Sequence, residues 1–410
     1  MRIHLSCPQC GAPVELEETE FLLECAYCRV RLLLSSRGPC RYYLQASKEV
    51  PAKDLFYVPY WRLKGTGYAL DQSQIIYKLL DTSLLARQLQ DFPFSLGLRP
   101  QAMQLRFVTP DLPGHFLSPN TGRRFLLEQV CRKLVQGTEL SQAGIKRQDF
   151  VGEVFSLVYA PFYFHRGQVF DAITDRVVAK IGSDFPFARQ EKSNKKQKID
   201  FKPTLCPYCG WDMLGESRSA TLLCPGCYRA WAVTSSDFKQ VGLGIQEAGQ
   251  KGDYQLPFWQ LGLQDPEIKL QSKADLIRLA NIPRPLSPQT EKEPLFLWIP
   301  AFKIRPELFL RIAQQTTFTG PRVKELKNMP QGQQHPADLP LKEGLQSLPY
   351  LLTSLGPAKR RVIALLGQKK IKVHSAKLVY MAFKARGNEL LQEEMQLSIP
   401  RKALQWGTYL

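Results

Sequence analysis

Two cysteine quartets of identical spacing constrain this 410-residue chain more than any other feature. The first reads Cys7-Pro8-Gln9-Cys10-Gly11, then Cys25-Ala26-Tyr27-Cys28. The second reads Cys206-Pro207-Tyr208-Cys209-Gly210, then Cys224-Pro225-Gly226-Cys227. Both have the form CxxC-x14-CxxC. A CxxC on a tight turn points two thiolates at one ion, and two such turns supply the four sulfurs of a closed tetrahedral zinc site. Pro8, Pro207 and Pro225 help fix the turns, and Gly11 and Gly210 permit a positive φ just after the first knuckle. The metal ligands expected are therefore Cys7, Cys10, Cys25, Cys28, Cys206, Cys209, Cys224 and Cys227, holding two structural Zn2+.

This pattern resembles the zinc-ribbon family over about 30 residues in each half of the chain, on the cysteines just named. The resemblance implies a small three-stranded sheet capped by two zinc knuckles. Largely apolar segments at Glu20–Glu24 and Ala220–Leu223 would lead into the second knuckle of each ribbon, and Val30–Leu34 and Tyr228–Val233 away from it. Zinc ribbons serve many functions, so the family alone selects none. Two other uses of the quartets stay open: rubredoxin-like iron, and a catalytic zinc or redox dithiol. A catalytic zinc needs an open position, which four cysteines would close.

More than the ribbons recurs. Tyr57-Val58-Pro59-Tyr60-Trp61 follows the first, and Leu256-Pro257-Phe258-Trp259 follows the second. Cys7 to Pro59 is 52 positions and Cys206 to Pro257 is 51. Leu157-Val158-Tyr159-Ala160-Pro161-Phe162, followed by Arg166-Gly167, matches Leu378-Val379-Tyr380-Met381-Ala382-Phe383, followed by Arg386-Gly387. Each reads as an apolar strand, a glycine turn and a returning strand. The pattern predicts an α+β, β-rich chain in which two zinc ribbons are each followed by an antiparallel β body with a few helices, an approximate internal duplication. The expected divisions are ribbon 1 at 1–36, body 1 at 40–190, a basic linker at 191–202, ribbon 2 at 203–236 and body 2 at 240–410. Strands are expected at Gln104–Val108, Val154–Phe164, Phe296–Phe302 and Leu378–Lys384, and helices at Arg124–Leu134 and Leu308–Gln315. The Pro-aromatic-Trp motif reads first as core or edge packing and second as an exposed platform. The Pro- and Gly-rich stretch from Lys327 to Pro340 reads as an exposed loop.

Eight of the ten cysteines fall in CxxC pairs, and the N-terminus shows no export signal, so thiolate–metal binding in a reducing cytoplasm explains them better than disulfides. Cys40 and Cys131 remain and read as small buried hydrophobes. No apolar run reaches the roughly 18–20 residues of a membrane span, and a cytoplasmic location is expected. A net charge of +18 favours contact with something acidic, a protein or multisubunit assembly first, then nucleic acid or an anionic membrane surface, although the basic residues are dispersed.

No Walker A segment, GxGxxG after a strand, HExxH or GxSxG occurs. His4, His115, His165, His335 and His374 are scattered, none with a carboxylate or cysteine partner at a recognisable spacing, and Asp171 and Asp175, four apart, form a pair too common to mark an active site. The expected function is therefore a zinc-binding, non-catalytic adaptor or scaffold. A nucleic-acid-binding protein is the alternative, and an enzyme of unrecognised class the second alternative.

Overall fold

The computed structural model describes residues 2–36, 38–47, 49–97, 103–136, 142–180, 199–234, 237–247, 252–263, 270–283, 285–326, 328–367 and 369–407. It is β-rich, with 42% strand and 19% helix, in keeping with the α+β expectation, but its sheets mix parallel with antiparallel pairs where antiparallel bodies were expected, because long crossovers and not hairpins join the parallel partners. Contacts divide it into two units. One holds Met1–Gly65, Leu80–Gln129 and Gly152–Pro203, and the other Thr66–Leu79, Val130–Val151 and Thr204–Leu410. Among the described residues no helix is long and apolar enough to cross a membrane.

The elements of the N-terminal part are β1 (Arg2–Ser6), β2 (Pro13–Glu17), β3 (Leu22–Glu24), β4 (Arg31–Ser36), β5 (Cys40–Leu44), β6 (Leu55–Leu70), β7 (Ile75–Leu85), β8 (Leu105–Phe107), β9 (His115–Phe116), α1 (Arg123–Val135), β10 (Arg147–His165), β11 (Gln168–Asp171), β12 (Val177–Lys180) and β13 (Ile199–Pro203). The main sheet of the first unit runs β12-β11-β10-β5-β8-β1-β2, with β6 joined to β10, β7 and β9. β5 lies parallel to β10, with Val158 opposite Tyr42, and antiparallel to β8, with Tyr42 opposite Phe107. β6 is aromatic and β-branched at alternate positions, so Phe56, Val58 and Tyr60 share the core face with Val158, Ala160 and Phe162 of β10. Phe56 stacks on Phe162 at 6.0 Å between ring centres.

The second unit continues with β14 (Thr221–Leu223), β15 (Ala230–Val233), β16 (Phe238–Gln246), β17 (Tyr254–Leu263), α2 (Lys273–Ala280), α3 (Pro288–Lys292), β18 (Phe296–Pro300), α4 (Pro306–Thr319), β19 (Val323–Glu325), β20 (Gln333–Gln334), α5 (Leu341–Ser354), α6 (Lys359–Leu366), β21 (Val373–Arg386), β22 (Glu389–Gln392), β23 (Leu397–Pro400) and α7 (Arg401–Gly407). Its sheet runs β14-β15-β16-β21-β17-β18, with β19 on β16, β20 on β17 and β23 joined through β22 to β21. β16 lies parallel to β21, with Val379 opposite Gly244. Helix boundaries follow local chemistry. Ser272 and Asp275 form a reciprocal capping box at the start of α2, and α4 opens on Pro306 and ends at left-handed Gly320 (φ 60°).

The Pro-aromatic-Trp motif is core, as its first reading had it. Tyr60, Trp61, Phe258 and Trp259 are buried. A proline inside a strand lacks the ladder N–H. Both prolines keep their acceptor in use, for the Pro59 carbonyl takes the Ala86 amide at 2.9 Å and the Pro257 carbonyl takes the Ala301 amide at 2.9 Å.

The four expected strands and two expected helices form, within extended limits in most cases. Of the expected linker, residues 191–198 lie outside the described residues. Its last four residues, 199–202, fall in β13 (Ile199–Pro203), which pairs antiparallel with β4. The stretch toward Pro340 is not simply an exposed loop. Gln333 and Gln334 join the sheet beside β17, and Ala337, Asp338 and Leu339 are buried because their backbone is hydrogen-bonded into the unit.

Candidate metal centres

Each quartet is assembled by two turns with the same hydrogen-bond pattern. In the first ribbon, Cys7 N–H donates to the Ala12 carbonyl at 2.8 Å and Gly11 N–H to the Cys7 carbonyl at 2.8 Å. The second turn repeats this, with Cys25 N–H to Val30 at 3.1 Å and Arg29 N–H to Cys25 at 2.8 Å. In the second ribbon the donors are Cys206 to Trp211 (2.8 Å), Gly210 to Cys206 (2.8 Å), Cys224 to Arg229 (2.9 Å) and Tyr228 to Cys224 (3.0 Å). The fourth residue after each leading cysteine is left-handed: Gly11 at φ 74°, Arg29 at 57°, Gly210 at 75° and Tyr228 at 55°. Glycine meets this need in the first turn of each ribbon, as expected from the sequence. A Cβ at Gly11 or Gly210 would meet nothing within 4 Å, so backbone conformation and not space selects glycine there. Arg29 and Tyr228 accept the same conformation with a side chain, which the spacing did not foretell.

The four Sγ atoms of each quartet lie within 4.8 Å of one another. Cys7–Cys28 and Cys10–Cys25 are 3.8 and 3.6 Å apart, and Cys206–Cys227 and Cys209–Cys224 are 3.7 and 3.4 Å apart. A tetrahedron of thiolates about 2.3 Å from one ion has sulfurs about 3.8 Å apart. The donor sets therefore fit a four-thiolate metal ion. All eight expected ligands are brought together, four by four.

The thiols' acidities point the same way. The Cys28 amide, foremost, with that of Tyr27, lowers the Cys25 thiol to about 6 against the effect of burial. Cys10 is pushed up to about 12, since the help of the Ala12 amide is outweighed by burial and by Cys28, Cys25 and Cys7 together. In the second ribbon Cys206, though burial opposes it, is lowered to about 7 by the Cys209 and Tyr208 amides, while burial and then Cys224 push Cys227 up to about 12. One thiolate raises the next, a repulsion that a cation among four thiolates would offset. Four thiolates would close the coordination sphere, leaving no position for substrate.

The remaining candidates do not converge on these centres. Cys131 is buried and Cys40 partly buried, and burial raises both thiols. Among the described residues no histidine joins a metal-type cluster. His4 pairs with Glu15 at 3.2 Å, and His335 packs edge-on against Phe302. Asp171 accepts the Ile173 and Thr174 amides at 2.9 and 3.1 Å and Asp175 takes the Tyr163 hydroxyl, so this pair of carboxylates braces a turn.

Sequence reasoning missed the surface of the second ribbon. Leu205 (47% exposed), Tyr208 (62%), Trp211 (63%), Leu214 (45%) and Tyr228 (38%) all face solvent around its knuckles. The Arg229 guanidinium lies 3.4 Å from the centre of the Tyr208 ring. Trp211 rests on the second knuckle, where a Cβ at Gly226 would meet its Cβ at 3.3 Å. In the first ribbon Tyr27 is the one large hydrophobe so exposed among the described residues. The signal was present as Cys209-Gly210-Trp211 and Pro207-Tyr208, but spacing alone does not tell an exposed aromatic from a packed one.

No family model, no curated protein and no solved structure matches this chain.

Proposed function

We propose that the chain is a zinc-stabilised, non-catalytic adaptor, and that its second ribbon presents an aromatic face to a protein partner. The carrying observation is the exposed cluster of Tyr208, Trp211 and Tyr228, flanked by Leu205, Leu214 and Arg229, on a support fixed by four thiolates. Trp, Tyr and Arg are the residues that dominate binding energy at protein interfaces, and rigid presentation lowers the entropic cost of association. Zinc fits the quartets best because it accepts tetrahedral sulfur without redox chemistry. The test is affinity purification of the tagged chain beside its Trp211→Ala and Tyr208→Ala variants, with and without nuclease. The adaptor reading expects a defined protein partner that survives nuclease and is lost from both variants. Loss of all bound material on nuclease treatment would favour nucleic acid instead.

We infer also that the two halves derive from one duplicated unit. Support comes from matching registers: β5–β10 and β16–β21 are both parallel, with Val158 opposite Tyr42 and Val379 opposite Gly244. Tyr42 in turn faces Phe107, and Gly244 faces Glu325. β9 meets β6 at Phe56 and Tyr57, three and two residues before Pro59, and β20 meets β17 at Tyr254 and Gln255, three and two before Pro257. Superposing the two halves of an experimental structure tests this, and strands in a different order would contradict it.

A further inference from the structure

In the first unit the outer edge of β8 is covered. β1 of the first ribbon lies parallel to it, Ile3 opposite Leu105 and His4 opposite Arg106. Shortly after β2 leaves this edge, Glu18 reaches the Arg62 guanidinium of β6 at 2.9 Å, with both side chains buried. In the second unit β19 has the relation to β16 that β8 has to β5, yet among the described residues no strand covers its outer edge. The Glu247 amide donates to the Arg322 carbonyl at 2.9 Å, and the register places Lys324 opposite Ile245. Bonded pairs alternate along an antiparallel ladder, so Lys324 also turns its backbone groups toward β16 while Val323 and Glu325 turn theirs outward. Their N–H and C=O groups are a ready template for one more strand.

Beside this edge lies an open cleft of about 900 Å³. The register sets Trp298, Gln260 and Lys377 in one lateral row across β18, β17 and β21, and all three line the cleft. Gln260 follows Trp259 as Arg62 follows Trp61, so the place of the cation that receives Glu18 in the first unit is neutral here. The next residue of the row, Lys377, is a cation instead. Charges of the lining partly cancel, for Lys273 pairs with Glu293 at 3.0 Å, whereas Glu394 takes only the Gln246 side-chain amide, a neutral donor that offsets no charge. That leaves Lys292, Arg322 and Lys377 against Glu247 and Glu394, a net of one positive charge beside an open strand edge.

We propose that the outer edge of β19 and this cleft form a docking seat for an extended acidic segment of a partner protein. The segment adds a strand parallel to β19 at Val323–Glu325 and places a carboxylate on Lys377 and Arg322. Main-chain hydrogen bonds supply affinity in such strand addition, and the side-chain pocket supplies selectivity. The proposal rests on the adaptor reading only in requiring a protein partner. It uses a surface separate from the Trp211 cluster, so the two readings fail independently.

Fluorescently labelled eight-residue peptides of alternating Val-Glu, Val-Gln and Val-Lys, titrated into the full-length protein by anisotropy, test it. Val-Glu should bind saturably, more tightly than Val-Gln, and Val-Lys should not bind. Lys377→Gln with Arg322→Gln should weaken Val-Glu at least about tenfold, as loss of a partly desolvated charge partner does. Val323→Pro removes an outward N–H and leaves the β16 ladder intact, so binding should vanish while the circular dichroism spectrum stays as in the parent and the melting temperature falls only by the loss of Val323's partial packing on the core. Binding that survives Val323→Pro, or equal binding of Val-Lys, would overturn the proposal. So would a concentration-dependent dimer abolished by Val323→Pro, which would give the seat to a second copy of the chain. Capture of a partner lost from the Trp211→Ala variant tests the adaptor face alone and leaves the peptide result to stand by itself.

Discussion

The indole N–H of Trp259 donates to the backbone carbonyl of Leu339 at 3.1 Å, inside the second unit where the indole is fully buried. In the first unit Trp61 donates to the Thr121 carbonyl at 3.2 Å and to its hydroxyl at 3.0 Å. Each tryptophan follows the strand proline by two residues and ties its strand to the chain just before a helix. Trp259→Phe should leave the Leu339 carbonyl buried and unpaired and lower stability by about 2 kcal/mol, with Trp61→Phe costing a similar amount. Chemical denaturation of the two variants beside the parent measures both losses.

Arg62 and Glu18 are 2% and 3% exposed, and Asp81 completes the group from the more open side. Removing one member strands a buried charge. Arg62→Met should therefore destabilise by about 3–5 kcal/mol, and adding Glu18→Leu should restore much of the loss. A double-mutant cycle from urea titrations checks this.

Cysteine spacing made the candidate metal centres legible, because the same pair of turns recurs in each quartet and gathers its four sulfurs. The buried Pro-aromatic-Trp strands and the LVY strands were legible from alternation and aromatic content. The Arg62–Glu18 pair was not, since 44 residues separate its members and neither lies in a motif. Nor was the grouping of Thr66–Leu79 with the second unit, which depends on Tyr68 packing on Tyr350 at 4.7 Å between ring centres. Helix α5 was hidden because it carries Pro349 in its interior, where local propensity reads a break. The burial of Ala337–Leu339 was hidden for a related reason. Its cause is non-local, as the Ala337 carbonyl receives the Ala220 amide of the second ribbon at 2.8 Å.

His335 packs against the Phe302 ring, and burial lowers it from 6.5 to about 4. A folded-state value below the unfolded one means that the unfolded chain takes up the proton first. The contribution is intact above about pH 6.5 and is lost as pH falls toward 4, by roughly 3 kcal/mol in all. His335→Phe should flatten the stability-against-pH curve over that window. Denaturant midpoints of parent and variant between pH 7 and 4 give the difference, in which other titrating groups cancel.

Cys206→Ser should remove one metal ion per chain and loosen the second ribbon, because metal binding and ribbon folding are coupled locally. The large apolar core around Phe258, Trp259 and Tyr350 contains no metal ligand, so most of the strand signal should persist in circular dichroism. Global unfolding would instead show that ribbon and core form one cooperative body.

The proposal that each quartet holds one zinc ion in a closed, non-catalytic site fixes a metal stoichiometry. Elemental analysis of the purified chain by plasma mass spectrometry tests it most directly. About two zinc atoms per chain with negligible iron are expected, as two closed four-thiolate sites require. A reproducible value of one or none, or iron in place of zinc, would contradict the proposal.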